Sequence, residues 1–367
     1  MSFMRKTAAF MGFSSLREMV SDSMAIDMGS ASTIIAVRGR GVVIDEPSVV
    51  AINNLTGEVL AFGLEAQKMQ GRESREVTVV SPLVDGVVAD FKNTRAMLDH
   101  FVREARSGVS HFSRRAVMSV LSGVTQVEER ALLDAAAFAH INRVYMIEEG
   151  LAAAIGAGVR VDDQHASAVV DIGGGTTNIA VVARGALVHS HAIRSGSADI
   201  NTSIIDHVRR HRGLTIGART AEGLKLELAT ANVPEDLGRE VTIKGRDVQT
   251  GSPGAIEITA GEVYAVSLPG IRKIALEVKE TLAELPPEVA ADIYDRGIIL
   301  TGGGAQMEGL EEYIRCETNL PVSVADEPRF AIVRGLEQMY DEPLLLRRVT
   351  RNALHRLVDA EASAFET

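Results

Sequence analysis

The sequence predicts an α/β protein of two related domains, each a mixed sheet flanked by helices. Three observations predict this. A strand–turn–strand unit occurs twice at one fixed offset. The 367 residues suit two domains at about 150 residues each. A third glycine-rich turn, between a strand pattern and a helix pattern, follows the second unit.

The repeat comes first. Residues 25–37 read AIDMGSASTIIAV and residues 169–181 read VVDIGGGTTNIAV. Each opens on an apolar strand ending in Asp, then turns through small or hydroxyl residues into a second apolar strand. Asp27 and Asp171 lie 144 positions apart (171 − 27), and Arg40-Gly41 and Arg184-Gly185 keep that offset, each pair followed by another apolar run. Two hairpins of one design are expected, each continued by a third strand. Ordinary turns favour the same residues, but two copies in register speak for a duplication.

The turn chemistry points to phosphate. Gly29, Ser30, Ala31 and Ser32 in the first turn, and Gly173, Gly174 and Gly175 in the second, carry little side-chain bulk. Backbone N–H groups then approach an anion closely. The hydroxyls of Ser30, Ser32, Thr33, Thr176 and Thr177 are expected to add donors. Asp27 and Asp171 are placed to hold Mg²⁺, directly or through water. Two such turns facing one another would clamp a polyphosphate.

The third turn is Gly302-Gly303-Gly304-Ala305, after the short apolar strand pattern 297–301. Met307, Leu310, Tyr313 and Ile314 follow at helical spacing. Such a turn suits close approach of backbone to a flat ligand such as a nucleoside. It is not a P-loop, because the Gly-Lys-Ser/Thr ending is absent.

Between these landmarks, apolar spacing predicts helices near 94–106, 127–139, 199–210 and 221–228. A connecting helix is expected near Leu151, a strand-rich piece over 241–258, and a long helix over 260–283. His189 and His191 sit two apart on a strand pattern with no third metal ligand in view, and read as structural or exposed.

Composition excludes several classes. With 46% hydrophobic and 24% charged residues, the chain is an ordinary globular mix, not a disordered or collagen-like one. A single cysteine, Cys316, excludes an internal disulfide and a cysteine-only metal site, and fits a reducing compartment. A net charge of −11, no Trp and 4% aromatics argue against nucleic-acid binding. No apolar run approaches the ~20 residues of a spanning helix. Near the N-terminus, Phe3, Met4, Phe10, Met11 and Phe13 accompany Arg5 and Lys6. A short basic segment lying on an anionic membrane is one reading, and a frayed terminus is the other.

The motifs resemble those of a known superfamily. Asp27-Met28-Gly29-Ser30, Asp171 through Thr177, and Thr301 through Ala305 look like the phosphate 1, phosphate 2 and adenosine motifs of the actin and sugar-kinase superfamily. Residues 41–51, 85–91, 125–128, 147–158 and 286–293 resemble the MreB family of bacterial actins more closely. The resemblance runs from about Met24 to about Leu336. It implies an actin-like (ribonuclease H-like, duplicated) two-domain fold, with ATP in the cleft and Mg²⁺ near Asp27 and Asp171.

The resemblance also implies roles. Glu149 aligns with the acid that positions or activates the attacking water, and Thr176 with its partner. Glu222 and Lys225 align with ribose and adenine contacts, although by spacing alone they read as a surface helix pair. Self-association into filaments would use tips near residues 60–75 and 230–255. An apolar membrane-touching loop would fall at residues 107–115. The implied setting is cytoplasmic, on the inner face of the membrane, with cell-wall elongation membrane proteins as partners.

The expected division is an N-terminal membrane-associating segment over 1–22, a first domain over 23–155 and a second over 156–327. The first domain carries a small subdomain about 53–80 and a closing helix about 328–342. The second carries a small subdomain about 196–258. Residues 343–367 form a tail in which Leu344, Leu345, Leu346, Val349, Leu354, Leu357 and Val358 alternate with four arginines. It is a basic amphipathic helix candidate, able to dock on its own core, a membrane or a partner.

The chain departs from the family pattern at Gly150, Asn178, Ser197, Ala198, Leu121 and the first phosphate turn. A Gly after Glu149 is expected to loosen that carboxylate and slow hydrolysis, since ångström misplacement costs ~100-fold. The reading is therefore an MreB-like ATP-binding filament protein that directs cell shape and wall synthesis, with a weak ATPase. A nucleotide-bound scaffold with little hydrolysis is the alternative. A small-molecule kinase would need inserted loops, and the compact chain shows none.

Overall fold

The computed structural model describes residues 22–107 and 112–350. Two five-stranded sheets of identical topology lie at its centre. In the first half, β1 (Asp22–Met28), β2 (Ser32–Val37) and β3 (Gly41–Pro47) form an antiparallel meander. A small three-stranded sheet follows, from β4 (Val50–Asn53), β5 (Val59–Phe62) and β6 (Val77–Val80). Then come the short hairpin β7 (Leu83–Val84) and β8 (Val87–Val88), and the strands β9 (Phe112–Val120) and β10 (Arg143–Glu148). The main sheet order is β10-β9-β1-β2-β3, with β9 parallel to both β1 and β10.

The second half repeats the plan. Strands β11 (Ser167–Ile172), β12 (Thr177–Ala183) and β13 (Ala186–Ile193) form the meander. A small sheet of β14 (Leu214–Thr215), β15 (Glu240–Asp247) and β16 (Pro253–Thr259) follows. Strands β17 (Ile298–Thr301) and β18 (Val322–Val324) complete the order β13-β12-β11-β17-β18. In both halves tight turns join the antiparallel strands, and helices carry the chain between parallel ones, as the geometry of parallel pairing requires. Register shows the duplication residue by residue: Asp27 pairs with Ile34 and Asp171 with Asn178. Strands β11 and β12 are almost wholly buried, which explains their near-continuous apolar sequence.

Helix starts are locally encoded. Thr125 and Glu128 form a reciprocal capping box at helix Gln126–Phe138, and Thr259 and Glu262 form another at helix Ala260–Ala283. Each box satisfies two backbone donors that a helix N-terminus leaves open. Asp90 caps helix Phe91–Ala105 through its side chain.

Between the sheets lie helices Glu149–Gly156 and Ala331–Gln338. Their core draws on both halves: Ala25, Val117 and Ile147 from the first, Val169 and Val182 from the second, and Leu151, Ile332 and Leu336 from the helices. Each half also has its own core, around Met24, Phe101 and Met118 in one and Val170, Ile179 and Ile274 in the other.

Two expectations change. From Phe112 onward the proposed 107–115 loop is strand β9, and residues 108–111 lie outside the described residues, as do 1–21 and 351–367. The tail forms only the short helix Pro343–Val349 within the described residues. It ends because Thr350 turns extended, its Oγ1 donating to the Leu346 carbonyl at 2.6 Å. That helix docks on the shared core through Leu346, while Leu344 is 83% exposed. Leu354, Leu357 and Val358 lie outside the described residues. Among the described residues no helix is long and apolar enough to cross a membrane.

Candidate nucleotide site

The two glycine turns meet face to face. The Gly29 N–H donates to the Ser32 carbonyl at 3.0 Å, and the Gly173 N–H to the Thr176 carbonyl at 2.8 Å. The same bond closes both turns at the 144-residue offset. Gly174 lies so close to Ala31 that a Cβ there would strike the Ala31 methyl, and Gly175 lies beside Ser30 and Asp85. The β7–β8 turn closes a third side: the Gly86 N–H donates to Ser30 Oγ at 2.7 Å. Asp85 and Gly86 both have positive φ, 49° and 76°, a left-handed turn that Asp tolerates and Gly favours.

Three carboxylates lie beneath these turns. Asp27 accepts a hydrogen bond from Ser119 Oγ at 2.7 Å, and Asp171 from Thr301 Oγ1 at 2.9 Å. Each hydroxyl sits on the neighbouring parallel strand, β9 or β17, so the duplication extends to these bonds. Burial pushes Asp27 up to about 6 against the hydroxyl's opposing pull. Burial, with the Asp27 charge adding to it, pushes Asp171 up to about 7. Glu149 opens helix Glu149–Gly156 and is 7% exposed. Its carboxyl is held well above the usual range, first by burial and then by the charges of Asp27 and Asp171. The Asn178 amide opposes that shift, its Nδ2 donating to Glu149 Oε2 at 2.6 Å.

Among the described residues, no Lys or Arg is among the groups that act on these three acids. Buried like charges without a cationic partner are costly, and a divalent cation suits that imbalance. Among the described residues no three His, Cys, Asp or Glu side chains are spaced to enclose an ion. The donor set therefore fits Mg²⁺ held through water and phosphate oxygens, the usual habit of that ion.

The remaining residues sort by what they touch. Thr176 is buried and packs its methyl toward Gly86. Thr33 and Thr177 do not offer hydroxyls to a ligand. Thr33 Oγ1 bonds Ser48 Oγ at 2.9 Å, and Thr177 Oγ1 donates to the Ser195 carbonyl at 2.9 Å. Both lie where the second strand has turned their side chains into the frame. Gly302 and Gly304 lie against Ile172, where a Cβ on either would collide, while Gly303 faces open space. Their smallness serves the junction of the third turn with the end of β11, and Ala305 is buried beside them.

Glu222 and Lys225 are not a solvated pair. Lys225 is 8% exposed and its Nζ lies 2.8 Å from Glu222 Oε2 and 3.3 Å from the Ser197 carbonyl. Asn201 Nδ2 also donates to Glu222 Oε2, at 2.6 Å. Ser197 and Ala198 in turn donate their N–H groups to the carbonyls of Gly173 and Gly174, at 3.0 and 2.8 Å. The pair is thus tied to the second phosphate turn through the start of helix Ser197–His211.

Gly150 corrects an expectation. It does not loosen Glu149. Gly150 is buried against β12, and a Cβ there would strike the Ala180 methyl. Glycine lets the helix start sit flush on the strand that carries Asn178, so Glu149 is pinned. Ser119, Asp85 and the Asn178 bond escaped sequence reasoning. The available signal was a polar residue inside an apolar strand, at Ser119 and again at Asn178.

The family model for MreB/Mbl protein matches residues 21–348. The cell shape-determining protein Mbl of Bacillus subtilis strain 168 is 39% identical over 323 residues, covering 88% of this chain and 97% of its own. The cell shape-determining protein MreB of Escherichia coli strain K12 is 40% identical over 324 residues, covering 87% and 93%. Among solved structures, MreB 5 of Spiroplasma citri bound to AMPPNP superposes with a TM-score of 0.82 at 31% identity, covering 89% of this chain and 97% of that one. The chain belongs to the MreB/Mbl family.

Proposed function

We propose that the protein binds Mg²⁺-ATP in the cleft, hydrolyses it, and assembles into membrane-associated filaments that direct cell shape and wall synthesis. The observation that carries this is the convergence of Asp27, Asp171 and Glu149 beneath two abutting, duplicated turns. The S. citri relative was solved with AMPPNP and with ADP, and the B. subtilis and E. coli relatives are named for cell-shape determination.

In this reading the backbone of Gly29 to Ser32 and Gly173 to Thr176 receives the phosphates. Glu222 and Lys225 receive the ribose and base side, with the Gly302 to Ala305 turn beneath it. Asp27 and Asp171 hold Mg²⁺ through water, and the ion supplies positive charge to the phosphate oxygens. Glu149 orients the attacking water and accepts its proton, with Thr176 beside it. Longitudinal self-contact uses the exposed apolar residues of the small sheets and their flanks, including Leu60 and Leu64 on one and Val233 and Leu237 on the other. Membrane attachment uses the basic, apolar N-terminal segment.

The scaffold reading has one observation in its favour: burial and the charges of Asp27 and Asp171 favour the neutral form of Glu149, which disfavours its taking a proton from water. Sedimentation with ATP, ADP or no nucleotide on anionic liposomes, with phosphate release read in the same tubes, separates the two. Nucleotide-dependent pelleting with release supports the filament ATPase. Pelleting without release supports the scaffold. No pelleting under any nucleotide contradicts both.

A further inference from the structure

Asn178 holds a position where the fold itself does not call for an amide. Its counterpart in the first half is Ile34, which pairs with Asp27 as Asn178 pairs with Asp171. Both are buried, at 2% and 1% exposure. An apolar side chain therefore satisfies the first copy of this strand pair. The second copy instead buries an amide whose Nδ2 is spent on Glu149 and whose Oδ1 is buried with no hydrogen-bond partner. A buried polar atom left unpaired is costly and rare in native proteins. Gly150 brings the start of the Glu149 helix flush onto the same strand at Ala180. The carboxylate and the orphan oxygen are thus fixed within one hydrogen bond of each other.

We propose that Asn178 is a positioning residue for the Glu149 carboxylate, anchoring it through Nδ2 in the pose from which it addresses the attacking water. The proposal rests on the reading of the cleft as an ATP-hydrolysing site. One hydrogen of the water points to the anchored Glu149 carboxylate, which leaves an oxygen lone pair for the terminal phosphorus. The new P–O bond forms as the bond to the bridging oxygen of ADP breaks. The electron pair of that bond departs with ADP, and the water's proton passes to Glu149 and then to solvent.

The test uses the full-length protein with Mg²⁺-ATP, and the variants N178I, N178L and N178D. N178I installs the residue that the first half already tolerates, N178L keeps the branching and removes both polar atoms, and N178D keeps the volume and removes the donor to Glu149. Nucleotide affinity, melting temperature and single-turnover phosphate release are measured for each. The expected result is a wild-type melting temperature, affinity within about twofold, and release slowed by about 10- to 100-fold, the scale of a misplaced reactant. Release at the wild-type rate in a folded variant overturns the proposal. So does weakened affinity with an unchanged rate, which would make Asn178 a binding residue. Unfolding of all three variants makes it a framework residue and also overturns it. If the wild type binds ATP but releases no phosphate, the hydrolytic reading itself fails and the proposal falls with it, a result distinguishable because no variant is needed to see it.

Discussion

Gly156 and Gly335 lie against one another where the two central helices cross. A Cβ on Gly156 would strike the Ala331 carbonyl and approach the Gly335 nitrogen, and a Cβ on Gly335 would strike the Ala152 carbonyl and approach the Gly156 nitrogen. The contact is reciprocal, backbone to backbone, and it joins the helix that begins with Glu149 to the helix that follows the second sheet. The approach sets the seam between the two halves and, through it, the placement of Glu149 over Asp27 and Asp171.

Gly335→Ala is therefore expected to destabilise the protein by about 2 kcal/mol or more, the cost of overpacking a site with no room to relax. Gly303→Ala, at an open position, serves as the control and leaves stability within about 0.5 kcal/mol. Chemical denaturation of the two variants checks this. Equal stability in both would remove the close crossing from the account.

The raised carboxylates predict a pH dependence with a definite sign. Asp27 and Asp171 titrate near about 6 and about 7 in the folded chain, above the 3.8 of an ordinary aspartate. Between those values the folded state binds more protons than the unfolded state, so stability falls as pH rises from about 4 to about 7. Nucleotide-free protein in a chelator should melt higher at pH 5 than at pH 8. Asp171→Asn should flatten that difference and raise the melting point at pH 8, while removing the stabilisation given by Mg²⁺-ATP. A variant that keeps both the slope and the Mg²⁺-ATP response would detach Asp171 from the metal role.

Glu149→Gln separates binding from turnover. The amide keeps the size and removes a buried acid that Asp27 and Asp171 repel. Nucleotide affinity should hold or tighten, and phosphate release should fall by about 100-fold or more, the usual worth of a general base. Measured release close to wild type would move the base elsewhere.

Lys225→Met tests the nucleoside side. The change leaves the Glu222 carboxylate without its 2.8 Å partner and cuts the link to the Ser197 carbonyl. Affinity for a fluorescent ATP analogue should drop by about tenfold, a loss of about 1.4 kcal/mol, with little change in the rate of the bound complex. A changed rate at unchanged affinity would contradict the assignment.

Much of this fold could be read in the sequence because its signals are periodic or repeated. The 144-residue offset announces two sheets of one design, and it reappears in the turn bonds of Gly29 and Gly173. The long helix expected over 260–283 is the observed Ala260–Ala283, since a capping Thr and an apolar period agree and carry it through Pro269. What stayed hidden depends on contacts distant in the chain. Gly150 reads as flexible until Ala180 is seen against it. Thr177 reads as a phosphate donor until strand direction aims it at Ser195. Ser119 carries no motif, and only the parallel pairing of β1 with β9 brings it to Asp27. Lys225 looks solvated on a helical wheel and is buried only once helix Ser197–His211 lies against it, while its partner Glu222 stays partly exposed.

The central claim is that the duplicated turns and their carboxylates form one Mg²⁺-ATP site. Calorimetric titration of Mg²⁺-ATP into the wild-type protein and into Asp171→Asn tests it most directly. The account predicts one nucleotide per chain, weakened by chelation of Mg²⁺, with affinity reduced about tenfold or more in the variant. Absence of binding to the wild type, or binding indifferent to both Mg²⁺ and Asp171, would contradict it.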